Sequence, residues 1–345
     1  MRLDAGIPNI NMKRLYIITG ANGHLASTII RYLSRENCLV RGLLLPKESH
    51  EDTGSITYFK GDVTEPASME EIFSGMDDYE VTVIHAAGLV SIEDNITPEL
   101  YSVNVNGTKN VISMCRKHHV QRMLYVSSVH AIPEGDGQSV IREINTFSKE
   151  RVKGGYAITK AEATQSVMDA VNDGLDAVVV HPSGIVGPFD DGRNHIIQLI
   201  KTFLDGKLLG SVTGGYDFVD VRDVAKGCLF AADKGRRGEC YILSNQYITI
   251  SELITYLGVL TGKRVPPCFP LSAIKCLAPV FSLVGKITHK RPLFTRYSLN
   301  VLGENAHFSH EKATREWGYS PIDIWDSIRD TVRYLRYGEK SIALV

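Results

Sequence analysis

The sequence predicts an α/β fold, in which a doubly wound parallel sheet carries a smaller, discontinuous lobe. Three observations predict it: short apolar runs recur through the first half of the chain, helix-length segments separate them, and the alternation fails after about residue 184. Strands that are apolar throughout are typical of a parallel sheet covered by helices on both faces. We therefore expect a sheet domain followed by irregular segments that form the lobe.

Six β-rich runs predict the strands of the sheet in chain order. They read RLYIITG, CLVRGLLLP, ITYFKGD, VTVIHAAG, RMLYVSS and DAVVVHPSG, and a glycine-rich turn joins the first to the helix STIIRYLSREN. After the loops GPFDDGRNH and GSVTGGYDF, the segment FVDVRDVAKGCLFAAD restores a strand and a helix, so the sheet domain resumes there. The predicted division is a sheet domain at 12–183 and about 218–247, and a lobe at 184–217 and 248–345.

Composition limits the classes of function. The chain has 345 residues, of which 43% are hydrophobic, and a formal net charge of -1. Because nucleic-acid-binding domains carry a basic stripe, this balance favours a small-molecule partner over a nucleic acid. The six cysteines have neither disulfide nor metal-ligand spacing. Free thiols in a reducing compartment fit best, so we expect a cytoplasmic protein without a metal site.

Two segments bear on membrane association. The N-terminal residues lack an apolar stretch long enough for a secretory signal. The segment LSAIKCLAPVFSLVGKI is interrupted by Lys275, Pro279 and Lys286, whereas a spanning helix needs about 20 apolar residues. We therefore expect no transmembrane segment and interpret 271–285 as an apolar helix that lines a pocket. Peripheral attachment to a membrane stays open.

A glycine-rich turn follows the first predicted strand. In TGANGHLAS, Gly20 and Gly23 allow a sharp turn that brings the backbone close to a phosphate, and the next helix begins with unpaired N–H groups. Ala26 takes the third small position of a dinucleotide fingerprint. Strand, turn and helix in this order predict a Rossmann site for a dinucleotide. A plain strand–helix turn is the alternative.

A tyrosine and a lysine stand four residues apart in YAITK. On a helix, residues i and i+4 share one face, so Tyr156 and Lys160 can point at one site. A cation beside a phenol favours the phenolate, which would lower the pKa of Tyr156 and suit it for proton transfer. The alternative is an ordinary solvated helix face.

The ordered set of motifs resembles the short-chain dehydrogenase/reductase superfamily over nearly the whole chain. After the glycine turn come GDV, HAAG, NVNGT, YVSS and YAITK, and HPSGIVGP and FVDVRDVA resemble its extended branch, the NAD-dependent epimerase/dehydratase family. Within that branch, the chain looks most like dihydroflavonol reductases and 3β-hydroxysteroid dehydrogenases. The resemblance implies hydride transfer between NAD(P)(H) and a ketone, aldehyde or secondary alcohol. The apolar 271–285 segment suits a hydrophobic substrate such as a steroid or flavonoid-like compound.

The resemblance also implies roles for individual residues. Tyr156 would transfer the proton, and Lys160 would bind the nicotinamide ribose and lower the pKa of the phenol. Ser128, with Ser127 as its competitor, would hydrogen-bond the substrate oxygen. Asp62 would bind the adenine. The cofactor residues implied are Gly20, Asn22, Gly23, His24, Leu25, Lys47, Asp62, Val63, Ala86, Ala87, Gly88, Asn104, Tyr156, Lys160, Pro182 and Ser183.

Several polar residues have competing interpretations. Asn104 either holds a strand–helix junction or a proton-relay water, or it caps a helix. Arg222 and Asp223 are typical of a helix-start cap joined to a salt bridge. Structural roles, rather than metal binding, are expected for His85, His130, His181 and Cys115.

The residues after the second strand bear on the choice of nucleotide. NAD-preferring relatives carry an acidic residue there to bind the ribose 2′-OH, whereas this chain has Leu45, Pro46 and Lys47. Without a carboxylate to repel it, a 2′-phosphate could bind Lys47 or, second, Arg41. NADP(H) is therefore favoured. Because the arginine usual in NADP-dependent relatives is also absent, NAD(H) stays possible.

Two other functions remain in competition. A sugar-nucleotide 4-epimerase with tightly bound NAD is one, although HPSGIVGP resembles the reductases more. A sugar dehydratase is disfavoured because Val129 and His130 replace its acidic pair. A catalytically silent NAD(P) sensor is the other, against which the intact YAITK motif counts. The resemblance also makes a homodimer possible, through helices around 106–118 and 156–171.

Overall fold

In the computed structural model, which describes residues 13–134, 139–190, 192, 194–274 and 296–342, a seven-stranded sheet forms the centre of the protein. The strands in chain order are β1 Lys13–Thr19, β2 Leu39–Leu44, β3 Ile56–Lys60, β4 Tyr79–His85, β5 Arg122–Val126, β6 Ala177–Pro182, β7 Gly184–Val186, β8 Ser211–Val212, β9 Gly215–Asp220, β10 Cys240–Leu243, β11 Gln246–Thr249 and β12 Cys268–Phe269.

The order of strands creates a crevice at the middle of the sheet. The order is β10-β6-β5-β4-β1-β2-β3, and every neighbouring pair is parallel. The chain therefore winds in opposite directions from β1 and from β4. In such sheets ligands bind beyond the carboxyl ends of the strands at this reversal. The predicted doubly wound parallel sheet is confirmed.

Helices cover both faces of the sheet, and the buried apolar residues of its strands fall into two core clusters. On one face α1 packs against α6, and on the other α3 packs against α4. Val178, Val179 and Val180 of β6 are all 0% exposed, as expected for a strand between two helical layers. The helices are α1 His24–Leu33, α2 Pro98–Tyr101, α3 Gly107–Lys117, α4 Gly155–Asn172, α5 His195–Leu204, α6 Val221–Lys234, α7 Ile250–Thr261, α8 Arg296–Val301, α9 Glu311–Trp317 and α10 Ile324–Tyr337.

The irregular part of the sequence contains two small sheets. One has the order β11-β9-β7 and the other pairs β12 with β8. The strand in FVDVRDVA is therefore part of a small sheet, and the chain rejoins the large sheet only at β10. The predicted division of the chain into two domains stays a prediction, as does dimerisation through α3 and α4.

The structure bears on the predictions about membranes and thiols only within the residues that it describes. The apolar helix predicted at 271–285 lies outside the described residues from residue 275 onward. Within the described ranges, every helix is too short or too polar to cross a membrane. In the same ranges, Cys38, Cys115, Cys228, Cys240 and Cys268 are free thiols.

Candidate functional site

The glycine turn after β1 forms a cradle at the crevice. Gly20 has φ of +69°, and a Cβ built on it would lie 2.8 Å from the Cα of Ala87, so only glycine lets the two loops meet here. The N–H of Gly23 donates to the carbonyl of Gly20 at 2.8 Å, which closes the turn. The turn therefore brings the backbone after β1 against the backbone after β4.

Helix α1 starts at this turn without a capping side chain. Its N-cap is Gly23, and no acidic residue occupies its first turn. The first N–H groups of a helix have no partner within the helix and attract anions. This arrangement fits the pyrophosphate of a dinucleotide, as the resemblance implies.

Two of the predicted cofactor residues have side chains committed elsewhere. His24 forms a 2.7 Å hydrogen bond between its Nε2 and the carbonyl oxygen of Pro188, which ties the start of α1 to the segment after β7. A carbonyl only accepts, so Nε2 carries the proton. Leu25 is buried in the hydrophobic core between α1 and the sheet. Only the backbone N–H of Leu25 can therefore serve a phosphate.

The loop after β4 is held by a buried histidine. His85 forms hydrogen bonds to the hydroxyls of Thr19, at 2.8 Å, and Thr108, at 3.0 Å. The Thr19 hydroxyl in turn accepts from the N–H of Ala87. Burial lowers the pKa of His85 to about 3, so the ring stays neutral. The structural role predicted for His85 matches these contacts, and Ala86 and Ala87 line the crevice half-buried.

Asn104 anchors the same loop from the helical side. Its Oδ1 accepts from the N–H of Leu89 at 2.8 Å, and its Nδ2 donates to the carbonyl of Leu89 at 2.9 Å. Asn104 lies inside the π-helical turn Ser102–Asn106, so the interpretation as a helix cap is wrong. The geometry favours the role at the strand–helix junction.

Tyr156 and Lys160 are both buried on α4, which excludes the solvated helix face. The Lys160 ammonium donates to the carbonyl of Val126 at 2.9 Å and lies 5.0 Å from the ring centre of Tyr125. Burial lowers the pKa of Lys160 to about 8. A Cβ built on Gly88 would lie 3.4 Å from the Lys160 Nζ, so the ammonium borders the crevice.

The pKa expected for Tyr156 is wrong in direction. Burial raises the pKa of the phenol to about 12, and a hydrogen bond with Ser128 only partly opposes this shift. The predicted lowering assumed a charged Lys160 close to the oxygen. Lys160 instead directs its ammonium to Val126. Loss of solvation of the phenolate therefore decides the direction of the pKa shift.

The structure distinguishes the two candidate serines. Ser127 hydrogen-bonds Thr164 at 2.6 Å, and Thr164 donates its own proton to the carbonyl of Lys160. Ser127 therefore faces the middle of α4. Ser128 begins a 3₁₀ turn, where its hydroxyl accepts from the N–H of His130 at 3.3 Å and contacts Tyr156. Ser128 is the serine beside the phenol.

The two glycines before Tyr156 allow close approach of other segments. Gly154 has φ of +90°, and a Cβ there would collide with the ring of Tyr297. The N–H of Gly155 donates to the carbonyl of Asp94 at 2.9 Å, and a Cβ on Gly155 would lie 2.5 Å from the carbonyl oxygen of Asn95. Helix α8 and the loop before α2 thus pack directly onto the start of α4.

An acidic residue that sequence reasoning missed lies after the end of β2. Glu48 accepts from the side-chain amide of Asn22 at 2.9 Å and from the N–H of Leu45 at 3.0 Å. The loop thus turns back and brings the carboxylate to the glycine turn, where a ribose would lie. Lys47 is exposed, and Asp62 accepts two hydrogen bonds from Thr64. Glu48 directly follows Lys47 in the sequence, so a search for an acidic residue one position further along would have found it.

The remaining predicted cofactor residues surround the crevice. Val63 is buried in the core, so only its backbone can serve a ligand. Ser183 directly follows β6 and is buried, and its N–H donates to the carbonyl of Leu243 at 3.1 Å. Pro182 is the last residue of β6. These positions are at the carboxyl edge of the sheet, as Gly20 and Gly88 are.

A cavity of about 220 Å³ opens beside Ser128 and Tyr156. Val129 and Ala157, the residues that follow those two, form part of its wall. Sequence reasoning expected a purely structural role for His130 and did not single out the aromatic residues of the lobe. The cavity is lined by four rings, of His130, Tyr216, Tyr297 and Phe308.

Other polar residues are structural in this fold. The cap of α6 is Asp220, whose carboxylate also binds the Arg222 side chain at 2.8 Å and 2.9 Å. Asp223 instead accepts from the N–H of Ile322. The predicted cap at Arg222 and Asp223 is therefore wrong, because Asp220 caps the helix, whereas the predicted salt bridge is present at Arg222. In the part of the chain that the structure describes, no cluster of side chains could hold a metal ion.

Comparison with known proteins places these features in context. Residues 16–244 match the sequence profile of the NAD dependent epimerase/dehydratase family. A protein of Synechocystis sp. named for dihydroflavonol 4-reductase is 26% identical over 95% of this chain and 96% of its own. The decarboxylating sterol-4-alpha-carboxylate 3-dehydrogenase of Schizosaccharomyces pombe is 27% identical, with 92% and 97% covered. The crystal structure of gox2253 superposes with a TM-score of 0.77 at 26% identity, over 94% of this chain and 98% of that one.

Proposed function

The chain belongs to the NAD dependent epimerase/dehydratase family, and on that premise we propose that it transfers hydride between NAD(H) and a hydrophobic secondary alcohol or ketone. One observation carries the proposal: Tyr156, next to Ser128, is buried with its ring centre 5.8 Å from that of His130, one of the aromatic rings that line the cavity. One relative is named for a sterol and another for a dihydroflavonol, both of which are ring compounds. We therefore take a ring compound of this kind as the substrate class.

Three residues of the site have separate roles in the proposed carbonyl reduction. Ser128 donates a hydrogen bond to the substrate oxygen and orients it. Tyr156, protonated at neutral pH because burial raises its pKa to about 12, gives its proton to that oxygen. Lys160 binds ribose hydroxyls beside Gly88. The nicotinamide, when bound, supplies or accepts the hydride.

The origin of the aromatic residues in the cavity supports the predicted lobe as the part of the chain that selects the substrate. Tyr216 comes from β9, Tyr297 from α8, and Phe308 from the segment after α8. These positions fall in the two sequence segments predicted to form one lobe. Flat aromatic walls suit a fused-ring compound better than a sugar, which needs many hydrogen-bond partners.

The position of Glu48 supports NAD(H) over the NADP(H) that the sequence favoured. Its carboxylate is held by Asn22 and by the N–H of Leu45, beside the glycine turn. A carboxylate there accepts hydrogen bonds from ribose hydroxyls and repels a 2′-phosphate. Lys47 points to solvent and compensates little.

The Glu48→Gln variant should lose discrimination against NADP(H). The substituted amide keeps an oxygen for Asn22 but carries no negative charge, so the preference in kcat/KM for NADH over NADPH should fall about tenfold. Glu51→Gln, at an exposed acid three residues on, is the matched control and should leave the ratio unchanged. A wild-type preference for NADPH would overturn the choice of NAD(H). An unchanged ratio in Glu48→Gln would overturn the role of Glu48.

A direct assay tests the reaction itself. Purified protein is incubated with NADH and a panel of oxosteroids, flavanones and small ketones, and the alcohol product is identified by mass spectrometry. We expect stoichiometric loss of NADH and gain of alcohol with at least one ring ketone. Protein that purifies with bound NAD and interconverts UDP-sugars would favour the epimerase. Nucleotide binding with no turnover across the panel would favour the silent sensor.

A further inference from the structure

The hydroxyl of Tyr297 is a polar atom of the cavity that the proposed chemistry does not use. Tyr297 is 7% exposed, and its hydroxyl has no hydrogen-bond partner among the residues that the structure describes. Buried hydroxyls in folded proteins nearly always have a partner, because burial without one is costly. A ligand oxygen in the cavity would supply the missing partner.

Packing holds this phenol close to the proposed catalytic residues. The ring of Tyr297 rests on Gly154, two residues before Tyr156, where any side chain would collide with it. The ring of His130 lies near both phenols, with its centre 5.8 Å from that of Tyr156 and 6.5 Å from that of Tyr297. Both phenols therefore border the ring of His130, so one substrate can present an oxygen to each of them.

The neighbouring polar groups of the inner cavity are uncharged. Burial lowers the pKa of His130 to about 4, so its ring is neutral, and its Nε2 forms a 3.0 Å hydrogen bond with the hydroxyl of Tyr216. Burial and nearby negative charge raise the pKa of Tyr297, so its phenol keeps its proton. This bond uses one donor of the His130–Tyr216 pair, whereas the Tyr297 hydroxyl is buried without a partner among the described residues.

The charges in the rest of the lining balance. Arg151 and Lys153 are exposed cations, and Glu134 and Glu304 are carboxylates that line the same cavity. Two cations and two carboxylates give no net attraction for an anion. An uncharged acceptor fits the inner cavity better than a carboxylate does.

We infer that the hydroxyl of Tyr297 donates a hydrogen bond to a second, uncharged oxygen of the substrate, a hydroxyl or carbonyl close to the carbon that exchanges hydride. This inference rests on the proposed function and adds a specificity-determining residue to it. It also narrows the substrate class to ring alcohols or ketones that carry a second oxygen close to the reacting carbon. Tyr297 positions the substrate and exchanges no proton with it.

Three related ketones test the inference. They are a saturated oxosteroid, the same compound with a hydroxyl on the carbon next to the carbonyl, and the same compound with a carboxymethyl group there, which carries a carboxylate. Wild-type protein and Tyr297→Phe are compared by kcat and KM for each, with NADH. Phenylalanine keeps the ring on Gly154, so the variant should fold, which its melting temperature checks. Tyr337→Phe, at a tyrosine that is 72% exposed, is the matched control.

The expected result is specific to one ketone. Wild-type protein should prefer the hydroxy ketone to the parent by about tenfold in kcat/KM, mostly through KM, and Tyr297→Phe should remove that preference, with a loss on the hydroxy ketone about tenfold greater than any loss on the parent. Equal losses on all three ketones, or no loss on any, would overturn the inference and leave the proposed reaction standing. A wild-type preference for the carboxylate would also overturn it. Wild-type protein inactive with all three ketones and with the corresponding alcohols would overturn both proposals.

Discussion

Replacing Tyr156 by phenylalanine is expected to lower kcat/KM for carbonyl reduction by about 10²- to 10⁴-fold, the usual contribution of a general acid. The variant loses only the oxygen that donates the proton. Because the ring is buried beside His130, phenylalanine should keep the packing and the affinity for NADH. Stopped-flow measurement of NADH oxidation, with NADH binding measured separately, checks both statements.

The wild-type pH dependence should follow from the same group. Burial raises the pKa of Tyr156 to about 12, so the phenol is protonated throughout the neutral range. Reduction should then be flat between about pH 6 and 8, whereas alcohol oxidation, which needs the phenolate, should rise with pH. An oxidation rate that falls as pH rises would contradict this assignment.

The adjacent serines supply a matched control for the site. Ser128→Ala removes the hydroxyl that contacts Tyr156, so kcat/KM should fall. Ser127→Ala removes a hydroxyl bound to Thr164 and should reduce stability with little change in kcat/KM. A larger kinetic loss in Ser127→Ala would reverse the assignment. Full turnover in Tyr156→Phe would overturn the proposed reaction.

Lys160→Met is expected to abolish turnover and yet to raise the free energy of unfolding by about 2 kcal/mol at about pH 7. Burial lowers the pKa of Lys160 from 10.5 to about 8, which corresponds to about 3 kcal/mol of destabilisation by the charged form. Losing the hydrogen bond to Val126 offsets about 1 kcal/mol of the gain. Urea unfolding of both proteins, with NADH turnover, measures the two effects.

The gain in stability should depend on pH in a defined direction. Below a pH of about 8 the ammonium is charged in both folded and unfolded wild-type protein, so its full burial cost is present. Between about 8 and 10.5 the unfolded chain holds the proton and the folded protein does not, so wild-type stability rises with pH. The advantage of Lys160→Met should therefore shrink across that window.

A surface lysine provides the comparison for this variant. The Lys109 side chain is 49% exposed, so Lys109→Met should change the free energy of unfolding by no more than about 0.5 kcal/mol at any pH. Should Lys160→Met prove less stable than wild-type protein at about pH 7, the cost assigned to the buried ammonium would be wrong. An equal gain in Lys109→Met would point to a general effect of methionine.

The elements that the sequence predicted best are those encoded by neighbouring residues. The turn at Gly20 and Gly23 needs a positive φ and an uncapped helix start, and both requirements can be recognised in a few consecutive letters. Apolar runs such as the one that forms β6 identify strands buried on both faces without knowledge of their partners. The spacing of Tyr156 and Lys160 likewise predicted that they share one face of α4.

Tertiary contacts decided the properties of those same residues. Helical spacing does not say how deeply a phenol lies, and depth reversed the expected pKa shift of Tyr156. The carboxylate of Glu48 reaches the glycine turn only because its loop folds back on Leu45. The resemblance favoured Ser128 over its neighbour Ser127, and only their contacts with Tyr156 and Thr164 separate the two serines in space.

By itself, then, the sequence predicted the sheet, the glycine turn and the shared helix face of Tyr156 and Lys160, because those depend on local backbone geometry and on residue type. Only the folded chain decided which acid lies at the glycine turn and which rings line the cavity. Tyr216, Tyr297 and Phe308 come together from separate segments and meet His130 at the cavity. The solvation and charge of these side chains depend on distances in space, which cannot be read from the order of the residues.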